Sequence, residues 1–491
     1  MPFLYEYRDA IIRSLSRRSF IIGRNMKQEF NSKFIWNICL VAAMGGLLFG
    51  YDWVVIGGAK PFYEAFFGLS GDANAWKSGW AMSSALAGCL GGALLSGAIT
   101  DRIGRKKVLI IAAVLFTASA IWTALSQTFN GFIVARILGG IGIGLASNVS
   151  PMYIAEVSPS KMRGTFVSVN QLTIVIGVLA AQIVNLVISR VNTLPDNATA
   201  EMILDSWNGQ VGWRWMFAAE TIPAGLFFLL ALIIPESPRW LLKKGRTEAA
   251  RNVLAKIGGA DYADAEVADI QSTVEGEVGK VAYKDLLSPK VLKILGLGIF
   301  IAVFQQWCGI NVIFNYAQEI FEAAGYDVNA MMFGIVITGI VNLVFTFVAI
   351  LTVDKWGRRP LMLLGSGGLA VTYAILGACY YFGLQGVVVI AVVMVAIACY
   401  AMTLAPITWV LLSEIFPNRI RGTAMSLCVS ALWIACFALT VTFKPINVAL
   451  QAHGTFWLYG AICLIGFLVL YYRTPETKGK SLEAIEREIA D

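Results

Sequence analysis

Three ionisable residues interrupt otherwise apolar sequence: Asp52, Arg136 and Glu220. An ionised side chain at the centre of a membrane helix costs about 2.5–3.5 kcal/mol on insertion scales, so each needs a partner, a wet cavity or a task. Asp52 lies about six residues from the end of its apolar run, Arg136 about five and Glu220 about seven. At about 1.5 Å per helical residue, all three sit roughly 8–11 Å below the same membrane face. Beside a guanidinium a carboxylate keeps its charge; if the guanidinium swings away, a dry site favours the protonated acid. Asp52 with Arg136, and Glu220 as a second acid, could therefore act as a proton switch. A static pair that only fastens helices is the competing reading.

A second set is neutral. Gln171, Gln305, Gln306, Asn311 and Asn342 lie inside apolar runs. Each amide carries donors and an acceptor, which suits hydroxyls that are themselves both. Trp409, after the Pro406 break, and Trp433 offer apolar faces to the C–H side of a pyranose ring. Interior amides also glue helices together, for about 0.6–2 kcal/mol each, and that use stays open. No metal site or cofactor is expected. The single histidine, His453, lies in a short loop, and the eight cysteines fall in apolar runs, unspaced for metal or disulfides. A phosphate-binding glycine loop and a nucleophile constellation are both missing, which argues against an enzyme or an ATP-driven pump.

The elements that hold these residues follow from composition. The 491 residues are 57% hydrophobic and 14% charged, against about 25% charged in soluble domains. Backbone in lipid must satisfy itself within helices, so the expected fold is an all-α membrane protein. Twelve apolar segments approach the ~20 residues that a bilayer requires: 34–58, 79–99, 107–126, 131–153, 165–188, 213–235, 291–317, 331–352, 360–382, 386–412, 422–443 and 455–472. The long polar stretch 236–290 reads as linker helices between an amino-terminal bundle at 34–235 and a carboxy-terminal bundle at 291–472, with a tail at 473–491.

The net charge of +7 does not point to nucleic acid, because Lys and Arg cluster in short loops between the apolar runs. One side holds Arg102, Arg105, Lys106, Lys107, Lys161, Arg163, Lys355, Arg358, Arg359, Arg419 and Arg421; the other has only Lys60, Lys77, Arg190, Arg214 and Lys444. The positive-inside rule places the first side, both termini and the linker in the cytoplasm of a multi-pass cell-membrane protein. Residues 1–33 are basic and mixed. An interfacial helix, a targeting segment and sequence upstream of a true start near Met26 compete there, the last being favoured.

The two halves repeat. Asp101-Arg-Ile-Gly-Arg105 after the second run matches Asp354-Lys-Trp-Gly-Arg358 after the eighth, and Glu156 with Arg163 matches Glu414 with Arg421. Pro235-Glu-Ser-Pro likewise matches Pro475-Glu-Thr-Lys. Duplicated halves with a site at the midplane are the architecture of rocking transporters. The acidic and basic partners could form ion-pair clusters that clamp the halves on the cytoplasmic side in one state and so bias a two-state equilibrium.

At these motifs the chain resembles the sugar porter family of the major facilitator superfamily, from about residue 34 to 485. Gly-Tyr-Asp52, Arg136-Ile-Leu-Gly-Gly, Pro-Met-Tyr-Ile-Ala-Glu156, Asn170-Gln171, Pro-Glu-Ser-Pro-Arg-Trp240, Gln305-Gln306-x-x-Gly-Ile-Asn311, Trp409-x-x-x-x-Glu414 and Pro-Glu-Thr-Lys-Gly479 carry the likeness. Within the family the likeness is to the bacterial type that couples xylose to protons. The resemblance implies two six-helix bundles and alternating access by a monomer in the lipid bilayer. It also implies a monosaccharide and protons as the transported partners. Asp52 and Arg136 would be the coupling pair, and Glu220 resembles the second acid of the xylose type. A facilitative uniporter and a transporter-like sensor are the alternatives. Two positions depart from the family pattern: Val178 stands where a second glutamine commonly follows Gln171, and Asn315 stands where a tyrosine follows the seventh-run asparagine. A pocket lacking a hydrogen-bonding partner rejects substrates that need it, so the sugar is open among pentoses and hexoses.

Overall fold

The computed structural model describes residues 30–159, 162–195, 198–276, 288–416 and 420–477. Its regular structure is helical throughout, with no strand among the described residues. Eleven segments are long and apolar enough to cross a membrane, and the last of them, Thr423–Arg473, breaks at Gln451 (φ 58°, ψ 174°). That break separates the eleventh crossing from the twelfth, so the chain makes the twelve expected. Expectations on residues 1–29, Asp196–Asn197, 277–287 and 478–491 lie outside the described residues.

Three helices differ from the apolar segmentation. The first, Ser32–Phe66, runs well past 58, because Lys60 and Glu64 continue it as a buried helix. The seventh is three pieces, Pro289–Trp307, Ile310–Asn315 and Ala317–Ala323, parted by Gly309 (φ 84°) and by Tyr316 (φ −115°, ψ 33°). The tenth breaks at Thr403 into Val387–Met402 and Leu404–Ile415. Pro406 lies three residues past this break and lacks the N–H that would bond back to the Met402 carbonyl, whereas Ile407 N donates to Thr403 O at 3.1 Å.

Side-chain caps start several helices. Ser288 accepts from Val291 N at 3.4 Å ahead of Pro289, and Thr128 accepts from Gly131 N at 3.2 Å. Each satisfies an N–H that the helix leaves orphaned.

The described residues divide into two compact units. One joins residues 30–37 with the helices that begin at Pro238. There Thr247–Gly258 and Ala260–Gly276 form a hairpin about Gly259. Arg251 bridges them by donating to both oxygens of Asp264, at 2.5 and 3.0 Å. These hydrogen bonds hold the Asp264 carboxyl below the usual carboxylate range.

The other unit holds the crossings. Small residues bring its helices together. A Cβ on Gly140 would lie 1.9 Å from Ala85 O, and one on Gly88 would lie 2.1 Å from Ile137 O, so the second and fourth crossings touch backbone to backbone. Gly50 and Gly177 do the same for the first and fifth. This is the small-residue packing that membrane helices use in place of a hydrophobic drive. The halves meet along two seams. The second crossing lies on the eleventh, where Gly79 faces Val441 O, and the fifth lies on the eighth, where Gln182 Nε2 donates to Thr338 Oγ1 at 3.3 Å. The six-plus-six repeat relates each seam to the other.

Candidate functional site

Asp52, Arg136 and Glu220 come together, each buried to 2% exposure or less. Arg136 Nη1 donates to the Asp52 carboxylate, and Nη2 donates to the Asp52 carbonyl at 3.0 Å. The guanidinium carbon lies 5.3 Å from the Phe217 ring centroid, a cation–π contact that fixes its far face. Glu220 adjoins Asp52 and lies within reach of the Arg136 charge. Asp52 Oδ2, Glu220 Oε1 and Arg136 Nε have no hydrogen-bond partner among the described residues. Asp52 thus holds the guanidinium, with Glu220 beside the pair and acceptor capacity to spare on both acids.

Depth counting from helix ends is corrected here. The first helix continues almost four turns past Asp52, whereas Arg136 lies two turns inside its own start at Phe129. The residues are level although the helix ends are not. Gly139, one turn after Arg136, makes the contact possible. A Cβ there would lie 3.0 Å from Asp52 Oδ2 and 2.4 Å from Ser119 Oγ. The glycines of Arg136-Ile-Leu-Gly-Gly serve this approach and the packing against Ala85.

Three of the expected amides form one chain. Asn311 donates to Gln306 Oε1, Gln306 Nε2 to Gln305 Oε1 at 2.5 Å, and Gln305 Nε2 to Tyr400 Oη at 2.5 Å. Their order along the seventh crossing depends on the turn at Gly309, which returns Asn311 toward Gln306. Tyr400 was not foreseen, since one tyrosine in a valine-rich run carries no signal. Trp433 packs at a tilt against Phe49 and Trp53 of the first crossing, each centroid 6.0 Å away, and thereby joins the halves. Its Nε1 and Asn315 Oδ1 are buried without a partner among the described residues. Asn315 lies beside Gly57, whose Cβ would approach its carbonyl to 3.2 Å. Gln171 is half-buried and Asn342 buried, and no hydrogen bond ties either to the amide chain. Trp409 is 38% exposed and stands apart from the buried aromatic group.

At the basic end, each half holds its own cluster. Arg105 donates from Nε and Nη2 to the two Glu156 oxygens at 2.8 Å and lies 3.4 Å from Asp101. Arg358 meets Glu414 at 3.1 Å. Two expectations are corrected. Arg163 is exposed and outside the Arg105–Glu156 pair, and both pairs tie helices of one half rather than clamping one half to the other. The side chains of Asp354 and Arg421 lie outside the described ones.

The third repeated motif completes each cluster. Glu236 accepts from Arg105 N and Lys106 N at 2.9 and 3.1 Å, and Glu476 accepts from Arg358 N and Arg359 N at 3.1 Å. A carboxylate thereby caps the start of the third and the ninth crossing. Ser237 and Thr477, one residue further on, each donate at 2.5 Å to the neighbouring Glu156 or Glu414.

At the opposite end the structure reveals a cluster that residue types had hidden. Lys60 and Lys444, counted from sequence among loop cations, lie inside helices and are 1% and 8% exposed. Lys60 Nζ is 3.2 Å from Glu64 and 2.5 Å from Glu319. Lys444 Nζ is 3.2 Å from Glu64 and 4.0 Å from Glu319.

Comparison with known proteins follows this geometry. Residues 38–489 match the family model described as sugar (and other) transporter. The chain is 39% identical over 489 residues to the D-xylose-proton symporter of Escherichia coli K12, covering 94% of this chain and 97% of that protein. It is 38% identical over 457 residues to the arabinose-proton symporter of Bacillus subtilis, covering 92% and 95%. Among solved structures, the inward-open conformation of the E. coli xylose transporter superposes with a TM-score of 0.80 at 37% identity, covering 92% of this chain and 99% of that one.

Proposed function

The chain belongs to the sugar (and other) transporter family, and from that premise we propose that it is a proton-coupled monosaccharide symporter of the xylose and arabinose type, working by alternating access. It is a transporter and not an enzyme. The observation that carries the reading is the buried Asp52–Arg136 pair with Glu220 beside it. A pump driven by protons needs an acid whose charge depends on which partner faces it, and the unused oxygens of Asp52 and Glu220 offer a proton a place. Gln305, Gln306, Asn311, Asn315 and Trp433, with Gln171, Asn342 and Trp409, are read as the sugar-binding set. The amide chain runs from Asn311 through Gln306 and Gln305 to Tyr400, so its donors become available to hydroxyls once a sugar displaces those internal bonds.

In this reading the basic clusters Asp101, Arg105 and Glu156, and Asp354, Arg358, Glu414 and Arg421, form the cytoplasmic gate. Each pair fixes the end of its own bundle against which the other bundle closes. The amino-terminal bundle spans 34–235, the linker 236–290, the carboxy-terminal bundle 291–472 and the tail 473–491. The protein sits as a monomer in the cell membrane, with both termini and the linker in the cytoplasm. The end holding Lys60 and Lys444 then faces out.

The test is counterflow of pentoses and hexoses in proteoliposomes, with and without a proton gradient. Asp52→Asn should abolish sugar-driven proton uptake while leaving sugar exchange. Active accumulation unimpaired by this change refutes the coupling role, and wild-type exchange without any proton movement assigns a facilitative uniporter instead.

A further inference from the structure

The charges at the outer end are too buried and too well matched to be surface decoration. Lys60 and Glu64 belong to the first crossing, Ser78 to the second, Glu319 to the short helix Ala317–Ala323, and Lys444 to the eleventh. Ser78 donates to Glu64, and Lys444 Nζ reaches Ser78 Oγ at 3.1 Å and Glu64 at 3.2 Å. Lys60 also donates to Gln318 at 3.4 Å. Two cations and two anions from both halves thus neutralise one another in one layer. Lys60 follows Asp52 by two turns of the same helix, which puts this layer roughly 12 Å outward of the coupling pair.

An aromatic pair adjoins the charged layer. The Tyr316 ring centroid is 5.6 Å from Lys60 Nζ and 4.5 Å from Phe443, and its hydroxyl donates to Thr440 O at 2.7 Å. Tyr316 is also the hinge between Ile310–Asn315, which carries Asn311 and Asn315, and the helix that carries Glu319.

We propose that Lys60, Glu64, Glu319 and Lys444 are an outer latch, positioning residues that hold the outward side shut when the halves meet. The latch rests on the alternating-access reading given above. Its physics has a definite sign. When the halves part, water compensates each charge singly, so the set holds the closed state only while its charges balance inside the layer. When one partner is neutralised, the closed state alone must hold an unbalanced buried charge, which is the expensive case. Removing one charge therefore opens the outer side. Removing a cation and an anion together leaves the layer balanced again and closes it.

Hydrogen exchange measured by mass spectrometry on the full chain in lipid nanodiscs, without sugar, reads both ends at once. Glu319→Gln and Lys444→Gln, which keep size and polarity, should each shift the balance by about tenfold toward the outward-open state. Exchange rises in peptides covering residues 56–66, 310–323 and 440–450 and falls in those covering 98–106 and 350–358. The double variant Glu64→Gln with Lys444→Gln should return both ends toward the wild-type pattern, because Lys60 and Glu319 still match. Singles that leave both ends unchanged overturn the latch. So do singles that raise exchange at both ends, which marks plain destabilisation, and a double variant more open than either single. Counterflow tests the transport reading by itself, so each can fail without the other.

Discussion

Asp52 is legible as an expensive carboxylate from its neighbours alone, and its cation is among the few charges that share the membrane interior with it. What residue types did not carry is the glycine that lets them meet: Gly139 leaves no room for a Cβ beside Asp52 Oδ2. The site contains two acids and one guanidinium, so the guanidinium is the member whose loss is felt most. Arg136→Gln leaves two buried carboxylates facing one another, and breaking a buried pair from one side costs about 3–5 kcal/mol. The melting temperature in detergent should fall, and Asp52→Asn added to Arg136→Gln should recover most of the loss without restoring coupling. If the double variant melts no higher than the single one, uncompensated charge is not what the arginine relieves. The same scale explains why the sugar is hard to name. Asn315 has a spare polar atom and Val178 has none to give, so the proposed sugar set departs from the family pattern at these two positions.

Among the elements, the loops between the second and third crossings and between the eighth and ninth gain most from the structure. Gly104 (φ 98°) and Gly357 (φ 90°) turn the chain in a region that side chains avoid. A Cβ on either would also strike a carboxylate, Glu236 at 2.2 Å and Glu476 at 2.7 Å. The glycine of Asp-x-x-Gly-Arg is thus required twice over, by backbone conformation and by the cap that the third motif supplies. Gly104→Ala should cost about 1–3 kcal/mol through strain alone and should loosen the Arg105–Glu156 pair as the Glu236 cap is pushed away. Thermal denaturation of the purified chain measures the first effect. A Glu236→Ala variant that melts like wild type and tolerates Gly104→Ala without further loss would show that the cap carries no weight. Sequence repeats aligned these three motifs in each half, yet the capping role needs the ends of four helices in one place, which no local pattern encodes.

For the whole molecule, the seams between halves decide which side is open. The second crossing presses on the eleventh at Gly79, where a Cβ would lie 2.5 Å from Val441 O. In the latch proposed above, that contact and the Lys60–Glu319 pair part together when the outer side opens. Gly79→Trp should wedge this seam, so sugar binding from outside persists while counterflow stops. Counterflow at the wild-type rate in that variant would mean the seam does not close during transport. The superposition on an inward-open relative agrees with a closed outer layer.

The sequence by itself determined the helical membrane class, the six-plus-six repeat, the meeting of Asp52 with Arg136 and the amides of the seventh crossing. These follow from what lipid forbids: a broken backbone ladder, an unpaired charge and an idle amide each cost enough to leave a pattern in one dimension. Tertiary structure alone decided where helices break, which glycines admit a neighbour, and that Lys60, Glu64, Glu319 and Lys444 are one buried set. The reason is distance along the chain. Lys60 and Lys444 look like ordinary loop cations until folding sets them beside acids from other helices, and compensation between residues hundreds of positions apart leaves no local trace.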